Sequence, residues 1–300
     1  MTQSPSLQET MAQLRAEVND ALNQVMEALD GADGDAPQLL VEAMRYAVLG
    51  GGKRMRPVLA LSACEAVGGQ RANAVPVACA LELVHAYSLV HDDLPCMDND
   101  LERRGQPTVH VRYGQARAVL TGDALLTEAF RVLARPSWTI DAQSRIEAIA
   151  LVADAAGAAG MVGGQEHDMA AEGKVLSVEA LTTLHAMKTG ALFRAAVVGG
   201  GICAGADADV IARLDRYGRC VGKAFQLTDD LLDLREVAAD ATETGDPHED
   251  AVNLAVRMGP EVCQSKASAL VAEAVAIADG FGDAGQTLAA IARMIEHRTT

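Results

Sequence analysis

Two groups of aspartates are spaced as carboxylate ligands of a divalent metal ion. One group follows an apolar segment in H-D-D-L-P-C-M-D, and the other lies in T-D-D-L-L-D, more than a hundred residues later. The six side chains are Asp92, Asp93 and Asp98 in the first group and Asp229, Asp230 and Asp233 in the second. Carboxylates about 5 Å apart repel by roughly 3 kcal/mol at an effective dielectric of 20, so such a cluster favours a bound cation. Mg²⁺ typically joins one or two carboxylates to substrate phosphates, which predicts metal-assisted chemistry on a phosphate ester.

The second aspartate group extends into a longer polar face if its segment is helical. Asp229 and Asp233 are four residues apart and share a face, on which Asp230 is a close neighbour of Asp233. Gln226 lies one turn before the adjacent aspartates, and Lys223 lies one turn before Gln226. The spacing therefore predicts one helix face that carries a lysine, a glutamine and three aspartates.

Each aspartate group has a plainer interpretation as a solvated acidic helix end. The leucines beside the aspartates, Leu94, Leu231 and Leu232, and the presence of two matching groups favour a shared pocket instead. Asp100 and Glu102 are the acidic residues expected to be ordinary surface charges.

A different metal site is suggested by Glu82 and His85, which form the Glu-x-x-His unit that di-iron helical bundles use twice. The sequence contains no second copy of this unit, which argues against a di-iron centre.

Basic residues beside glycines offer partners for phosphate groups. Lys53 and Arg56 follow G-G-G, and Arg103 and Arg104 precede a glycine. Arginine presents a rigid fork of donors to a phosphate, whereas lysine presents a point charge. The alternative for each is an ordinary surface position, which is the expectation for Arg54.

Two further features concern the positions of ligand groups along helices. Lys188 and Thr189 fall at a break in a helical pattern, where backbone groups freed from the helix can face a ligand. Tyr87 lies five residues before Asp92, about one and a half turns deeper in the same helix. An apolar tail attached to a phosphate at Asp92 would meet Tyr87 as an obstacle, although Tyr87 has an equally good interpretation as a core residue.

The composition favours one all-helical domain over residues 1–300, with residues 1–8 as a frayed end. Half of the residues are hydrophobic and only 3% are aromatic, which suits close-packed helices better than sheets. No strand alternation, linker or repeat is evident. Helices are predicted at about 14–29, 39–48, 73–94, 114–133, 141–170, 178–188, 193–203, 207–236, 260–279 and 284–297. One more helix is opened by the basic loop 53–57 and broken by G-G-Q at 68–70. Asn73 and Ser177 are expected to cap two of these helices.

Charge and cysteine usage limit the partners and the location. The net charge of −16 argues against nucleic acid or an anionic membrane as a partner, so an anionic substrate needs local basic residues or a cation. The six cysteines form no C-x-x-C pair and are expected to be reduced core thiols in a cytoplasmic protein. The longest uncharged run, 195–206, is 12 residues and is too short to span a bilayer.

Taken together, these motifs resemble the trans-isoprenyl diphosphate synthases, or polyprenyl synthetases, and in particular the bacterial farnesyl diphosphate synthase (geranyltranstransferase) type. The likeness covers residues 38–236. The matching segments are A-M-R-Y-A-V-L-G-G-G-K-R-M-R-P, H-D-D-L-P-C-M-D-N-D with R-R-G, T-G-D-A-L-L, G-G-Q-E-H-D, K-T-G-A-L-F and G-K-A-F-Q-L-T-D-D-L-L-D.

The resemblance implies a helical bundle around a deep cavity, which is usually a homodimer, and a role for each candidate residue. The six aspartates would bind Mg²⁺, as three ions when substrate is present. The side chains that would hold isopentenyl diphosphate are Lys53, Arg56, His85 and Arg104. Those that would border the allylic diphosphate are Arg103, Lys188, Thr189, Lys223 and Gln226. The residues taken as catalytic are Asp92, Asp93, Asp229, Arg103 and Lys188, and the position of Tyr87 would limit product length.

The implied reaction is ionisation of dimethylallyl or geranyl diphosphate, attack by isopentenyl diphosphate and loss of a proton, which gives farnesyl diphosphate. Geranylgeranyl diphosphate synthesis is the alternative product, and a non-catalytic synthase-like subunit is an alternative of another class. A terpene cyclase is disfavoured because Lys53, Arg56 and His85 would then lack a purpose. The sequence departs from its relatives at Glu102, where leucine is common, and at Asp246, where a phosphate-facing lysine is expected.

Overall fold

The computed structural model describes residues 6–29, 36–136, 138–171, 173–239 and 253–298. The described chain is almost entirely helical, which confirms the predicted fold class. Its helices are α1 (Leu7–Glu27), α2 (Gln38–Leu49), α3 (Met55–Ala66), α4 (Arg71–Asp92), α5 (Val109–Tyr113), α6 (Gln115–Ala134), α7 (Ala142–Ala156), α8 (Met161–Ala170), α9 (Val178–His185), α10 (Ala191–Cys203), α11 (Ala208–Ala239), α12 (Leu254–Met258), α13 (Pro260–Asp279) and α14 (Gln286–Glu296). A π-helical turn, Ala186–Gly190, joins α9 to α10, and a 3₁₀ turn, Gly282–Gly285, precedes α14.

Capping residues explain several of the helix starts. Ser177 accepts a hydrogen bond from the backbone N–H of Ala180 and begins α9, as the sequence predicts. The prediction that Asn73 caps α4 is wrong, because this helix begins two residues earlier with Gln70 in the extended N-cap conformation. The Asn73 carbonyl accepts a hydrogen bond from the indole N–H of Trp138 at 2.8 Å instead.

A divided helix and four short elements were not expected from hydrophobic periodicity. The predicted helix over 141–170 is two helices, because the chain turns through Gly157–Gly160 between α7 and α8. Two-residue strands β1 (Glu102–Arg103) and β2 (Gln106–Pro107) pair in an antiparallel hairpin. Arg104 and Gly105 form its turn, both with positive φ, as a two-residue hairpin turn requires. Helices α5 and α12, of five residues each, are too short to show a periodic pattern.

The core is organised around α10, which packs against α3, α4, α7 and α11. Ten of its thirteen residues are buried, and it contains most of the uncharged run 195–206. Gly200 allows the closest approach, because a Cβ at this position would lie 2.2 Å from the carbonyl oxygen of Ala60 on α3. Helix α11 in turn packs along α13, and α10 contacts both α4, which ends at the first aspartate group, and α11, which carries the second.

Two stretches of the described chain are long and apolar enough to meet the criteria for a membrane span, Arg71–Asp92 and Ala142–Ala170. The first is mostly buried against neighbouring helices, and core helices commonly meet the same criteria. The six cysteines are free thiols, and all except Cys96 are buried, in agreement with the prediction of core thiols.

Candidate active site

A cavity of about 540 Å³ opens beside the C-terminal end of α4. Its wall comes from α4, α6, α8 and the π-turn, and it is mainly apolar below a polar mouth. The polar residues that line it are Arg56, His85, Tyr87, Ser88, His91, Asp92, Gln165, Glu166, Lys188 and Thr189. His85 and Asp92 both face this cavity, as expected for residues two turns apart on one helix.

Asp92 and Asp98 of the first aspartate group lie together at the mouth. The backbone N–H of Asp98 donates to the Asp92 carbonyl oxygen at 2.8 Å, so the turn after α4 returns the chain to its helix end. Burial raises the pKa of Asp92 to about 6, the Lys188 ammonium opposes this rise and the Asp98 charge adds to it. A half-buried carboxylate beside a second carboxylate is a suitable ligand pair for a hard cation.

Asp93 turns away from the cavity and binds Arg103. Its buried Oδ1 accepts from Arg103 Nε at 2.8 Å and lies 2.7 Å from the second guanidinium nitrogen. The same nitrogen lies 3.0 Å from Asp100 Oδ2, so Asp100 is an ion-pair partner of Arg103 rather than a mere surface charge. The structure therefore places Arg103 among carboxylates, whereas the resemblance implies Mg²⁺ binding for Asp93 and a position beside the allylic diphosphate for Arg103.

The second aspartate group is divided between two faces of α11. Asp229 lies on the face of Phe225, where the Arg298 guanidinium approaches its Oδ1 to 2.9 Å. Asp230 faces α12, and both of its carboxylate oxygens accept hydrogen bonds, from Gln226 Nε2 at 2.9 Å and from the Leu254 N–H at 2.8 Å. The sequence predicts a metal role for Asp230, but here its carboxylate fixes the start of α12.

Asp233 is exposed one turn after Asp229. Asp246, the expected departure from the family pattern, lies outside the described residues.

A magnesium site fits the residues at the mouth. Among the described residues, no three His, Cys, Asp or Glu side chains are close enough to hold a metal ion by themselves. Mg²⁺ needs fewer protein ligands than that, because it usually keeps several waters and completes its shell with substrate phosphates. Asp92 with Asp98 on one side, and Asp229 on the other, match this incomplete donor set.

The four residues expected to hold isopentenyl diphosphate, Lys53, Arg56, His85 and Arg104, are linked by close contacts and by their charges. Arg104 donates to the Gly51 carbonyl oxygen at 2.6 Å and so lies on the glycine loop that carries Lys53. Burial lowers the pKa of His85 well below its ordinary value, and the charges of Arg56 and Arg104 act in the same direction. His85 is therefore neutral at pH 7, so one of its ring nitrogens can donate a hydrogen bond and the other can accept one.

Arg56 and Thr189 connect the two aspartate groups to the same cavity. Both residues line the cavity with Asp92. Burial lowers the pKa of Arg56, and the carboxylates of Glu82 and Asp229 oppose this effect, which places Asp229 within electrostatic reach. The Thr189 hydroxyl donates to Gln226 Oε1 at 3.0 Å across to α11. Asp92 therefore lines this cavity directly, whereas Asp229 lies within electrostatic reach of Arg56 in its wall.

The predicted break at Lys188 is the π-turn. A π-turn inserts one extra residue into a helix and often marks a functional position. Here it directs Lys188 and Thr189 into the cavity. Lys188 Nζ lies 2.5 Å from Asp168 Oδ2 on α8. Asp168 belongs to the G-G-Q-E-H-D segment, and the sequence pattern alone assigns it no role at Lys188.

Two basic residues have positions that the sequence did not predict. Lys223 is exposed, and it lines a surface pocket with Lys266 and Glu273 on the far side of α11 rather than the cavity of Lys188. Arg54 is 4% exposed instead of lying at the surface. It bonds to Glu82 at 2.5 Å and to the Val48 carbonyl oxygen at 2.6 Å, which also removes Glu82 from any di-iron site.

Tyr87 lies in the cavity wall below Asp92, with 6% of its surface exposed. Its ring meets the His91 ring edge-on at a centroid distance of 5.9 Å, and His91 Nε2 lies 3.1 Å from the Val119 carbonyl oxygen on α6. These contacts fix the tyrosine where the sequence predicts an obstacle.

Arg298 was absent from the expected site because it comes from beyond α14. Its guanidinium lies 4.2 Å from the centroid of the Phe225 ring. A single arginine after the last helix carries no local pattern, so only the folded chain brings it to Asp229.

Comparison with known proteins agrees with this geometry. The polyprenyl synthetase family model matches residues 37–289. The chain is 42% identical over 283 residues to the large subunit 1 of a heterodimeric geranylgeranyl pyrophosphate synthase of Arabidopsis thaliana, covering 91% of this chain and 76% of that one. It is 43% identical over 230 residues to a farnesyl diphosphate synthase of Geobacillus stearothermophilus, covering 76% of each.

A solved structure of an FPP/GFPP synthase from Zymomonas mobilis superimposes with a TM-score of 0.84 at 39% identity, covering 95% of this chain and 98% of that one. Members of the family are generally Mg²⁺-dependent prenyltransferases. The chain belongs to the polyprenyl synthetase family and is a prenyltransferase enzyme that makes trans-prenyl diphosphates.

Proposed function

We propose that the enzyme condenses isopentenyl diphosphate with dimethylallyl or geranyl diphosphate and stops at farnesyl diphosphate. The observation that carries the proposal is one apolar cavity with Asp92 at its mouth and Tyr87 lower in its wall. The five residues between them correspond to roughly 7.5 Å along the helix axis. A growing chain anchored at Asp92 therefore meets the Tyr87 ring early.

The residues have distinct tasks in this proposal. Asp92, Asp98 and Asp229 would be among the residues that hold Mg²⁺, proposed as three ions when substrate is present, and the metal would supply charge neutralisation for the departing diphosphate. Lys188 donates to the same diphosphate, and stabilises the charge that develops on its bridging oxygen. Lys53, Arg56 and Arg104 hold isopentenyl diphosphate by its phosphates, with neutral His85 beside them.

The cavity wall protects the allylic cation from water. Leu89, Met97, Met161, Val162 and Met169 line the path between the mouth and the lower wall. These side chains are apolar, so they keep water, the main competing nucleophile, away from the cation while the isopentenyl double bond attacks it. The departing diphosphate then receives the proton lost after condensation.

Geranylgeranyl diphosphate is the alternative product, because relatives of both product classes are similar to this chain. The deciding experiment incubates the enzyme with labelled isopentenyl diphosphate and a primer of five, ten or fifteen carbons, and sizes the products chromatographically. The proposal expects a fifteen-carbon product from the first two primers and no extension of the third. Extension of the fifteen-carbon primer would establish the alternative, and absence of Mg²⁺-dependent turnover would favour a non-catalytic subunit.

We propose that the protein acts in the cytoplasm as a homodimer. Val119 and Leu120 on α6 are exposed large apolar residues beside the helix that carries the first aspartates. A second copy of the chain would cover them. Light scattering after size exclusion measures the mass, and a monomer at micromolar concentration would refute the dimer.

A further inference from the structure

The G-G-Q-E-H-D segment, residues 163–168, lies on helix α8 and brings this helix close to the π-turn that carries Lys188. Helix α8 packs directly on the π-turn, because a Cβ at Gly164 would lie 2.3 Å from the Lys188 backbone nitrogen. A Cβ at Gly163 would lie 2.9 Å from the end of the Met187 side chain. The two glycines therefore let α8 approach the backbone of the residue whose ammonium enters the active site.

This close approach brings Asp168 beside Lys188. Asp168 lies four residues after Gly164, on the same face of α8. Its Oδ2 is 2.5 Å from Lys188 Nζ, and the Asp168 side chain is 16% exposed. Its other oxygen, Oδ1, is buried and accepts no hydrogen bond from the described residues. Among the described residues, the Asp168 carboxylate therefore forms its ion pair with Lys188 and accepts no hydrogen bond at its other oxygen.

Lys188 faces competing carboxylates. Its positive charge acts on Asp92 and on Asp98, and opposes the rise in pKa that burial causes at both. A lysine has a flexible four-carbon stem and a compact charge that can move between nearby anions. Without Asp168, the same ammonium would lie on Asp92 or Asp98, which are the carboxylates that a cation must reach.

We propose that Asp168 is a positioning residue that holds the Lys188 ammonium away from Asp92 and Asp98. These two carboxylates then stay open to Mg²⁺, and Lys188 stays at the side where the allylic diphosphate binds. The inference rests on the proposed role of Lys188 at that diphosphate.

The test is a double-mutant cycle with Asp168→Asn, Lys188→Met and both together, read out by calorimetry in two titrations. One titration uses Mg²⁺ alone, and the other uses a thiolodiphosphate analogue of dimethylallyl diphosphate with Mg²⁺. In the protein that keeps Lys188, Asp168→Asn should weaken Mg²⁺ binding about three- to tenfold. In the Lys188→Met background the same change has an effect of less than about twofold, because no ammonium remains to be held back.

Exposed Asp154 on α7 supplies the matched control, since Asp154→Asn removes the same charge from a position outside the cavity. Thermal unfolding of each variant reports whether it folds, and Asp168→Glu, which keeps the charge, should restore most of the Mg²⁺ affinity. An equal loss in both backgrounds would overturn the inference, because Asp168 would then act directly or through the fold. Unchanged analogue binding in Lys188→Met would instead refute the proposed role of Lys188.

Discussion

Arg298 Nη1 lies 2.9 Å from Asp229 Oδ1, so an arginine from beyond the last helix occupies the side of the second aspartate group that faces Lys53. The Arg298 side chain is only 12% exposed and lies against the Phe225 ring. The partial burial of Lys53 lowers its pKa, the Arg298 charge acts in the same direction, and Asp229 acts in the opposite direction. A metal ion held by Asp229, as proposed, would therefore compete with this arginine for the same carboxylate.

Replacement of Arg298 with alanine should strengthen Mg²⁺ binding in the absence of substrate. A partly exposed ion pair contributes at most about 1 kcal/mol, which corresponds to roughly a two- to fivefold decrease in the Mg²⁺ dissociation constant. Calorimetric titration of the substrate-free protein measures it. Arg293→Ala, an exposed arginine on α14, removes the same charge at a distance and should leave the constant unchanged. Weaker binding in Arg298→Ala would show that this arginine supports the site instead of competing for it.

Mg²⁺ binding should weaken as the pH falls through about 6. The pKa of Asp92 is raised to about 6, so its carboxylate is ionised at pH 7.5 and largely protonated at pH 5.5. One competing proton with this pKa increases the apparent dissociation constant about fourfold between these two pH values. Titrations in matched buffers measure the change, and a constant that is flat over this range would contradict the assignment of Asp92 as a ligand.

The same raised pKa has the opposite consequence for the stability of the metal-free protein. Because the folded-state pKa lies above the unfolded value, the ionised Asp92 carboxylate disfavours the folded state above pH 6, and this cost disappears as the pH falls toward 4. The Asp92 contribution should therefore make the free energy of unfolding more favourable to the folded state at pH 5.5 than at pH 7.5. Chemical denaturation of the parent and of Asp92→Asn at both pH values isolates this contribution, because the other titrating groups are common to the two proteins. An Asp92→Asn variant with the same pH dependence as the parent would exclude it.

Tyr87→Ala should lengthen the product to twenty carbons or more. The substitution removes the ring from the cavity wall below Asp92 and opens space in the direction of His91. Tyr87→Phe keeps the ring volume and the edge-on contact, so it should still give the fifteen-carbon product. Reverse-phase sizing of products from geranyl diphosphate compares the variants, and an unchanged chain length in Tyr87→Ala would refute the role of Tyr87 as the floor.

The features that the sequence predicted correctly depend on neighbours a few residues away. The cap at Ser177, the break at Lys188 and the two aspartate groups all leave a mark within one or two helical turns. The orientation of adjacent aspartate side chains leaves no such local mark, because residues distant in the sequence determine it. Asp93 turns toward Arg103 of the hairpin, and Asp230 turns toward a backbone N–H on α12.

Arg54 shows the same limit for a structural residue. Its sequence context is a basic loop, K-R-M-R, which is typical of a solvated surface. Three partners bury it instead, and they come from three separate helices: Asn19 on α1, Val48 on α2 and Glu82 on α4. No local pattern distinguishes this arginine from Lys53 or Arg56 on either side.

Arg54→Ala should therefore destabilise the fold by about 3–5 kcal/mol, because it leaves the Glu82 carboxylate buried without its cation. Arg71 serves as the control, because its ion pairs with Glu17 and Glu65 are partly exposed and Arg71→Ala should cost less than about 1 kcal/mol. Denaturant unfolding gives both free energies. The double variant Arg54→Met with Glu82→Met should recover much of the loss, because it removes the uncompensated charge as well as its partner. If Arg54→Ala and Arg71→Ala unfold at the same denaturant concentration, Arg54 is not the buried tie between these helices, and the glycine loop that presents Lys53 and Arg56 must be fixed by other contacts.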